Sequence, residues 1–322
     1  MYLKRSIKQQ MKTTILFDGG NIAVGDLIVG ASSAYLLARI LEADFKLLDT
    51  TIGLNDYFDI SKEYTDISDI NNIDLEIKYS SSDNELVKAL KTINLSFLLN
   101  KTIIVRSHEN FAKHLYVNPF IKNDIDVTSI VLTNVFMNVI LLPKKDHLDY
   151  LKSNFNLSNT LGVHIRCDNV WGDSNSNEKR FDVTKTIYQF VKCIKCVNPE
   201  NNPVLLITDN IPAVNKIFKE ENINFFMIQG VPGHSCKEKI CDKKKISLDL
   251  LSLGECKEVI ISYWSNFSRA GVLRTLKPCY AVKPILNQPE EEFNFGLNIN
   301  DGLNSDGFRI INHCELLSKD NC

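Results

Sequence analysis

Residues 203–228 read PVLLITDNIPAVNKIFKEENINFFMI. The run 203–208 has the length and apolar composition of a strand, 211–221 reads as a helix, and 224–228 as a second strand. Strand, helix and strand in so short a span imply a right-handed crossover, and so a parallel sheet with helices on both faces. The alternation extends both ways. Residues 160–165 read as a strand and 182–197 as a helix; downstream, 246–255 reads as a helix, 258–262 as a strand and 266–275 as a helix. The first half repeats the theme with strands at 13–17, 45–48 and 102–105 and helices at 26–43 and 83–98. Shorter helical pieces are expected at 110–115 and 128–139, a polar loop or excursion at 51–74, and a helix crossing to the second half at 144–155. The fold class is therefore α/β, with two parallel-sheet halves and a boundary near Asn156.

Composition agrees. A chain of 322 residues suggests about two domains at roughly 150 residues each. Hydrophobic residues at 44% provide a sizeable core and argue against wholesale disorder. The net charge of -2 lacks the basic excess that nucleic-acid binding calls for. The most apolar stretch, 27–41, is too short for a membrane span and contains Ser32, Ser33 and Arg39. The basic start MYLKRSIKQQMKTTILF lacks a continuous apolar core, so a cytosolic location is expected. Nine irregularly spaced cysteines fit reduced thiols better than a disulfide framework. Cys193 and Cys196 share a helix face, and Cys236 and Cys241 lie in a lysine-rich loop over 230–245. Neither pair has zinc-site spacing, nor do His108, His114, His147, His234 and His313.

Four segments carry chemistry. The first, Gly19-Gly20-Asn21-Ile22-Ala23-Val24-Gly25-Asp26, follows a strand and opens a helix. Such a turn exposes backbone N–H groups at a positive helix end, which suits phosphate or a sugar hydroxyl. Asp26 stands where a Walker lysine would be, and the dinucleotide pattern of three glycines is absent. The competing reading is a tight turn with Asp26 capping the helix. The second segment, Gly162-Val163-His164-Ile165-Arg166, ends a strand with His164 and Arg166 on one face. At the carboxyl end of a parallel strand they point into a ligand crevice, where an arginine fork matches phosphate. A structural ion pair is the alternative. The third, Thr208-Asp209-Asn210, ends the next strand; Asp209 and Asn210 suit a base or ribose edge, and helix capping competes. The fourth runs from Ser247 to Arg269. Asp249 lies near a helix start, and Ser265 and Asn266 open the helix carrying Phe267 and Ser268, where a hydroxyl and helix N–H groups could hold phosphate. First-turn acid and N-cap are the competing roles.

In order, these segments resemble the GDP-fucose-dependent fucosyltransferase superfamily: the α1,2- and α1,6-fucosyltransferases, nodulation fucosyltransferases and protein O-fucosyltransferases. His164-Ile165-Arg166 resembles the family's His-x-Arg signature, and Thr208-Asp209 its strand ending in Thr-Asp. Asp249, Leu253 and Ser265 resemble its Asp-x-x-x-Leu run followed by Ser; Asp249 and Ser265 are 16 residues apart. The Gly-rich segment and the small-residue helix to Ala38 resemble its N-terminal pattern. Cys167 stands where the family often has a second Arg, and Asn169 where it usually has Asp, with Asp168 one position early.

The resemblance implies a GT-B fold of two Rossmann-like domains facing across a cleft. Residues 1–155 would form the acceptor side and 156–322 the donor side, with the segment from about Leu286 packing back on the first domain. It implies inverting transfer of L-fucose from GDP-fucose to a glycan or glycoconjugate hydroxyl, with no cofactor or metal because arginine neutralises the leaving diphosphate. Arg166 would bind the β-phosphate and be catalytic, with His164 shaping the pocket. Asp209, Asn210 and Asp249 would contact base or ribose, and Ser265, Asn266, Phe267 and Ser268 the phosphate side. Gly19, Gly20, Asn21 and Gly25 would form the acceptor-side loop. Asp26 and Asp18 are general-base candidates by location. The alternatives are a transferase for another nucleotide sugar and an inactive nucleotide-sugar-binding protein.

Overall fold

The structure is a computed structural model describing residues 12–20, 23–48, 54–70, 72–80, 83–121, 129–166, 182–230, 242–262, 265–282, 285 and 309–310. In chain order these carry β1 (Thr14–Asp18), α1 (Val24–Ile40), β2 (Asp44–Leu48), α2 (Leu54–Tyr57), β3 (Phe58–Asp59), α3 (Lys62–Thr65), β4 (Leu75–Lys78), α4 (Asn84–Thr92), β5 (Thr102–Arg106), α5 (Ala112–Leu115) and α6 (Ser129–Val139). Then follow β6 (Leu142–Pro143), α7 (Lys145–Asn154), β7 (Leu161–Ile165), α8 (Val183–Val197), β8 (Val204–Thr208), α9 (Ile211–Glu220), β9 (Phe225–Phe226), α10 (Lys243–Glu255), β10 (Glu258–Ser262), α11 (Asn266–Leu273), β11 (Cys279–Val282) and β12 (Arg309–Ile310).

The chain forms two compact units. The first comprises Met1–Ile22, Asp26–Leu54 and Ile60–Phe136. Its sheet runs β2-β1-β5-β4, with every pair parallel. Ile15 sits opposite Phe45 on one side and Ile103 on the other, so β1 is interior and apolar. Tyr35, Phe45 and Phe136 cluster with ring centroids 5.4–6.0 Å apart. At Gly30 of α1, a Cβ would lie 2.1 Å from the Ser107 carbonyl oxygen, so the helix reaches the end of β5 only with glycine there. The edge strand β4 escaped the sequence reading: Leu75 and Ile77 are half-buried while Glu76 and Lys78 are exposed, so no continuous apolar run marks it.

The second unit comprises Ala23–Gly25, Asn55–Asp59 and everything from Met137 onward. Its sheet runs β12-β11-β10-β7-β8-β9, again all parallel. Both faces are covered, as a parallel sheet requires. Val204 and Leu206 pack with α8 and α9 in one layer, while Leu205 and Ile207 join α7 and α10 residues in the other. That is the period-2 alternation of a strand buried on both sides.

The partition falls between Phe136 and Met137, ahead of the expected boundary near Asn156. Helix α7 belongs to the second unit because Leu151 is buried in its core with Leu248 and Leu251 of α10. The span 51–74, expected as a polar loop or excursion, contains the short elements α2, β3 and α3, and β3 pairs antiparallel with β6 in the second unit. Strand β11 was not anticipated; β12 pairs with it, and the rest of the segment from Leu286 lies outside the described residues. Among the described residues no helix is long and apolar enough to cross a membrane. Cys193, Cys256 and Cys279 are free and buried, but Cys196 is disulfide-bonded, which corrects the expectation of reduced thiols throughout.

Candidate functional site

Strands β7, β8 and β10 are neighbours in the second sheet, and their carboxyl ends bring together His164, Arg166, Asp209 and the Ser262–Ser265 turn. The Arg166 backbone N–H donates to Ser262 Oγ at 2.8 Å, and that hydroxyl donates to the His164 carbonyl at 3.3 Å. Ser262 thereby fixes the point where the chain leaves β7. Beyond it, Arg166 Nε meets Asp209 Oδ2 at 3.1 Å, both side chains about one-fifth exposed. The two Nη groups of Arg166 make no further hydrogen bond among the described residues, so a guanidinium fork remains available for an anion.

His164 is buried behind this edge, its ring tilted against Phe267 with centroids 5.4 Å apart. Burial, reinforced by the Arg166 charge, pushes its pKa down to about 3. The imidazole is therefore neutral near pH 7, and its Nδ1 is buried without a hydrogen-bond partner among the described residues. It can shape a pocket or accept a hydrogen bond there, but it supplies no charge.

Asn210 caps α9: its Oδ1 accepts from the Ala213 N–H at 3.2 Å, and its own N–H donates to Thr208 Oγ1 at 3.1 Å. The side-chain oxygen of Asn210 thus serves as the cap that the sequence offered as one of its two roles. Ser265 sits at the N-cap of α11 and is buried, yet its hydroxyl makes no cap bond. The Ser268 hydroxyl donates to the Ser265 carbonyl at 3.2 Å, tightening the same turn. The Ser265 hydroxyl is thus uncommitted to capping, at a helix start whose positive end favours an anion.

Asp249 lies in the buried middle of α10. Burial raises its pKa to about 6; the bonded ammonium of Lys245 opposes that shift, and Asp242 adds to it. Lys245 was missed by the sequence reading. The signal was a lysine four residues before Asp249, on the same helix face.

The Gly-rich segment divides between the units. Gly20 has φ +57, and its N–H donates to Asp18 Oδ1 at 3.0 Å. Gly19 is packed against Leu27, whose Cδ1 would be 1.8 Å from an added Cβ. Asp18 also pairs with Arg106 Nε at 2.8 Å, and Arg106 reaches Glu76 as well. Asp18 is therefore committed to a cation, which weakens it as a base. Asp26 is half-buried in the first turn of α1, where a carboxylate complements the helix dipole. Gly25 falls with the second unit, where a Cβ would lie 2.3 Å from the Phe267 backbone nitrogen. Glycine alone lets the segment approach the start of α11 so closely. Asn21, Cys167, Asp168, Asn169, Cys236 and Cys241 lie outside the described residues. Among the described residues no cluster of metal-ligating side chains occurs.

No family model and no curated protein matches the chain. Solved structures do. An arginine-to-lysine mutant of FUT1 from Arabidopsis thaliana, in complex with GDP, superposes with a TM-score of 0.61 at 11% identity, covering 87% of this chain and 71% of that one. NodZ α-1,6-fucosyltransferase, known from Bradyrhizobium and here co-crystallised with GDP, gives a TM-score of 0.51 at 14% identity, covering 82% of this chain and 92% of that one. The chain has the mixed α/β, parallel-sheet fold of these fucosyltransferases. At such identities the likeness establishes fold and not activity.

Proposed function

We propose that the chain is an inverting, metal-independent glycosyltransferase that moves L-fucose from GDP-fucose to a hydroxyl of a glycan or glycoconjugate. The observation that carries this reading is the Arg166–Asp209 pair at the ends of β7 and β8, with the Nη fork uncommitted beside the turn that opens α11. The shared fold supports it, since both similar structures hold GDP. In this reading the units form a GT-B enzyme, the first taking the acceptor and the second the donor.

Asp209 orients the guanidinium through Nε. The fork then bears on the donor diphosphate, and the Ser265 hydroxyl takes a further phosphate oxygen. As the bond from the anomeric carbon to the β-phosphate oxygen breaks, negative charge builds on the leaving GDP. A preorganised cation there lowers the barrier because it interacts more strongly with the transition state than with the intact donor. Neutral His164 packs the pocket without competing for phosphate. Asp26 is the candidate to take the proton from the attacking hydroxyl, and the new bond forms on the opposite face of the sugar, with inversion.

Calorimetric titration with GDP-fucose, GDP, UDP and UDP-sugars, in EDTA, tests the reading on wild type and Arg166→Ala. Guanine nucleotides binding the wild type alone support it. A folded wild type that binds UDP compounds equally well, or no guanine nucleotide, overturns it.

A further inference from the structure

Six of the ten large apolar side chains that stand exposed among the described residues belong to one end of the first unit: Ile73, Ile93, Phe97, Leu99, Val117 and Phe120, each 43–59% exposed. The topology gathers them. β4 and β5 are parallel neighbours, so the residues leading into both strands share the amino edge of the sheet. The Asp74 N–H donates to the Thr102 carbonyl at 2.8 Å, which sets Ile73 at the entry to β5, where Leu99 also lies. α4 crosses from β4 back to that edge and ends there, followed by Ile93 and the 3-10 turn Leu95–Leu98 that carries Phe97. Asn118, 0% exposed, fastens the next segment to the same place: its Nδ2 donates to the Leu90 and Ile93 carbonyls at 2.8 and 3.0 Å, and its Oδ1 accepts the Phe120 N–H at 3.0 Å. One amide thus satisfies two carbonyls at the end of α4 and brings Val117 and Phe120 to Ile93. Asp18, Gly19, Gly20 and Arg106 lie at the opposite, carboxyl edge of this sheet, so the patch shares nothing with the sites described above.

Scattered exposed apolar residues are ordinary, but a gathered patch marks a surface that meets something apolar. The charges around it say what. Lys88 and Lys91 are exposed on α4, and Lys101 Nζ lies 5.9 Å from the centre of the Phe97 ring. Asp74, the acid next to Ile73, accepts the Thr102 N–H at 2.8 Å, and Glu85 stands in the first turn of α4, at the far end of that helix. The Asn100 N–H donates to Thr13 Oγ1 at 2.7 Å, so β1 is entered from the same edge. Residues 1–11, which precede it, hold Lys4, Arg5 and Lys8 and no acid, in a chain whose net charge is -2. Acyl chains beneath anionic headgroups are the complement of this pattern. Aromatic and aliphatic side chains enter the boundary, while lysine stems lie along apolar surface and set their ammonium groups among the headgroups. A second copy of this chain would instead bring like charges together around the patch.

We propose that this edge of the first unit docks the protein on an anionic bilayer surface, with Phe97 and Phe120 inserted at the acyl boundary and Lys88, Lys91 and Lys101 among the headgroups. The inference stands independently of the donor reading above. The test is sedimentation of the full chain with vesicles of phosphatidylcholine alone and of phosphatidylcholine and phosphatidylglycerol in equal parts. It is run on wild type, on the double variant Phe97→Ser with Phe120→Ser, and on the double variant Lys88→Gln with Lys91→Gln, each checked for folding by circular dichroism. The wild type should partition onto the anionic vesicles at least about tenfold more strongly than onto the neutral ones, and salt should release it. Each double variant should weaken that partitioning by about tenfold or more. A folded phenylalanine variant that binds within about twofold of wild type overturns the proposal. Should that variant fail to fold, the lysine variant decides in the same way: the stated loss supports the proposal, and binding within about twofold of wild type overturns it. Equal binding to neutral and anionic vesicles removes the role of the lysines and overturns it as well. A wild type that sediments with neither vesicle overturns it outright, and a dimer in analytical ultracentrifugation would then assign the patch to a second copy of the chain.

Discussion

Arg166 Nε lies 3.1 Å from Asp209 Oδ2, so the residues ending two adjacent parallel strands form one charged unit. The carboxylate spends part of its charge on orienting the arginine, and the arginine keeps its fork for something else.

Arg166→Lys should lower kcat for fucosyl transfer by about 10²–10³, because an ammonium cannot hold both Asp209 and a phosphate in fixed geometry. Asp209→Asn should cost less, since the fork remains but loses its anchor. Steady-state kinetics with GDP-fucose checks the order; a larger loss in the Asn variant would assign Asp209 a direct role in catalysis.

His164 should destabilise the protein in acid. Its folded pKa is held near 3, below the ordinary value of 6.5, by burial first and by Arg166 second. Below pH 6.5 the unfolded chain binds a proton that the folded one refuses. Stability therefore falls as pH drops, by at most about 1.4 kcal/mol per pH unit until the folded pKa is reached. Urea titrations at pH 7 and pH 5 should show a smaller loss for His164→Phe than for wild type.

The Lys245–Asp249 pair should resist single substitution. Lys245→Met leaves a buried carboxylate and should cost about 3–5 kcal/mol at pH 7, whereas Lys245→Met with Asp249→Leu should recover most of it. The Asp249 pKa is raised to about 6, chiefly by burial, so its own contribution has the opposite sign to that of His164. The folded state holds its proton more tightly, and the stability so gained is present below the ordinary value of 3.8 and lost as pH rises through 6. Lys245→Met should therefore be markedly less destabilising at pH 5 than at pH 8 by thermal melts.

Two glycines should answer differently to alanine. Gly30→Ala drives a methyl to 2.1 Å from the Ser107 carbonyl oxygen, which must shift α1 from β5 and cost about 1–3 kcal/mol. Gly20 has φ +57 and open space around its Cβ, so Gly20→Asn should be tolerated within about 1 kcal/mol. Chemical denaturation of the two variants separates crowding from backbone conformation.

Most of the second unit was legible from local pattern. Strands such as Val204–Thr208 are short apolar runs between polar helices, and a parallel sheet buried on both faces leaves that mark. β4 and β11 were not legible: the first alternates at a sheet edge, and the second is four residues long with only a half-buried tyrosine to break it. At the site, the strand-end residues were found because a strand followed by a helix advertises its carboxyl end. Lys245 was not, because its burial depends on what packs around α10 and not on its neighbours in sequence.

The amino-acid sequence by itself determined the alternation of strands and helices, and with it the parallel sheets and the edge where His164, Arg166, Asp209 and Ser265 emerge. These follow from hydrophobic period and turn chemistry, which act over a few residues. The tertiary structure alone decided that Arg166 is paired with Asp209, that Asp18 is held by Arg106, that α7 belongs with the second unit, and that Asp249 shares its burial with a lysine. Each depends on residues distant in sequence, or on the burial that distant residues impose. Charge pairing and desolvation are properties of the space around a group, and folding creates that space.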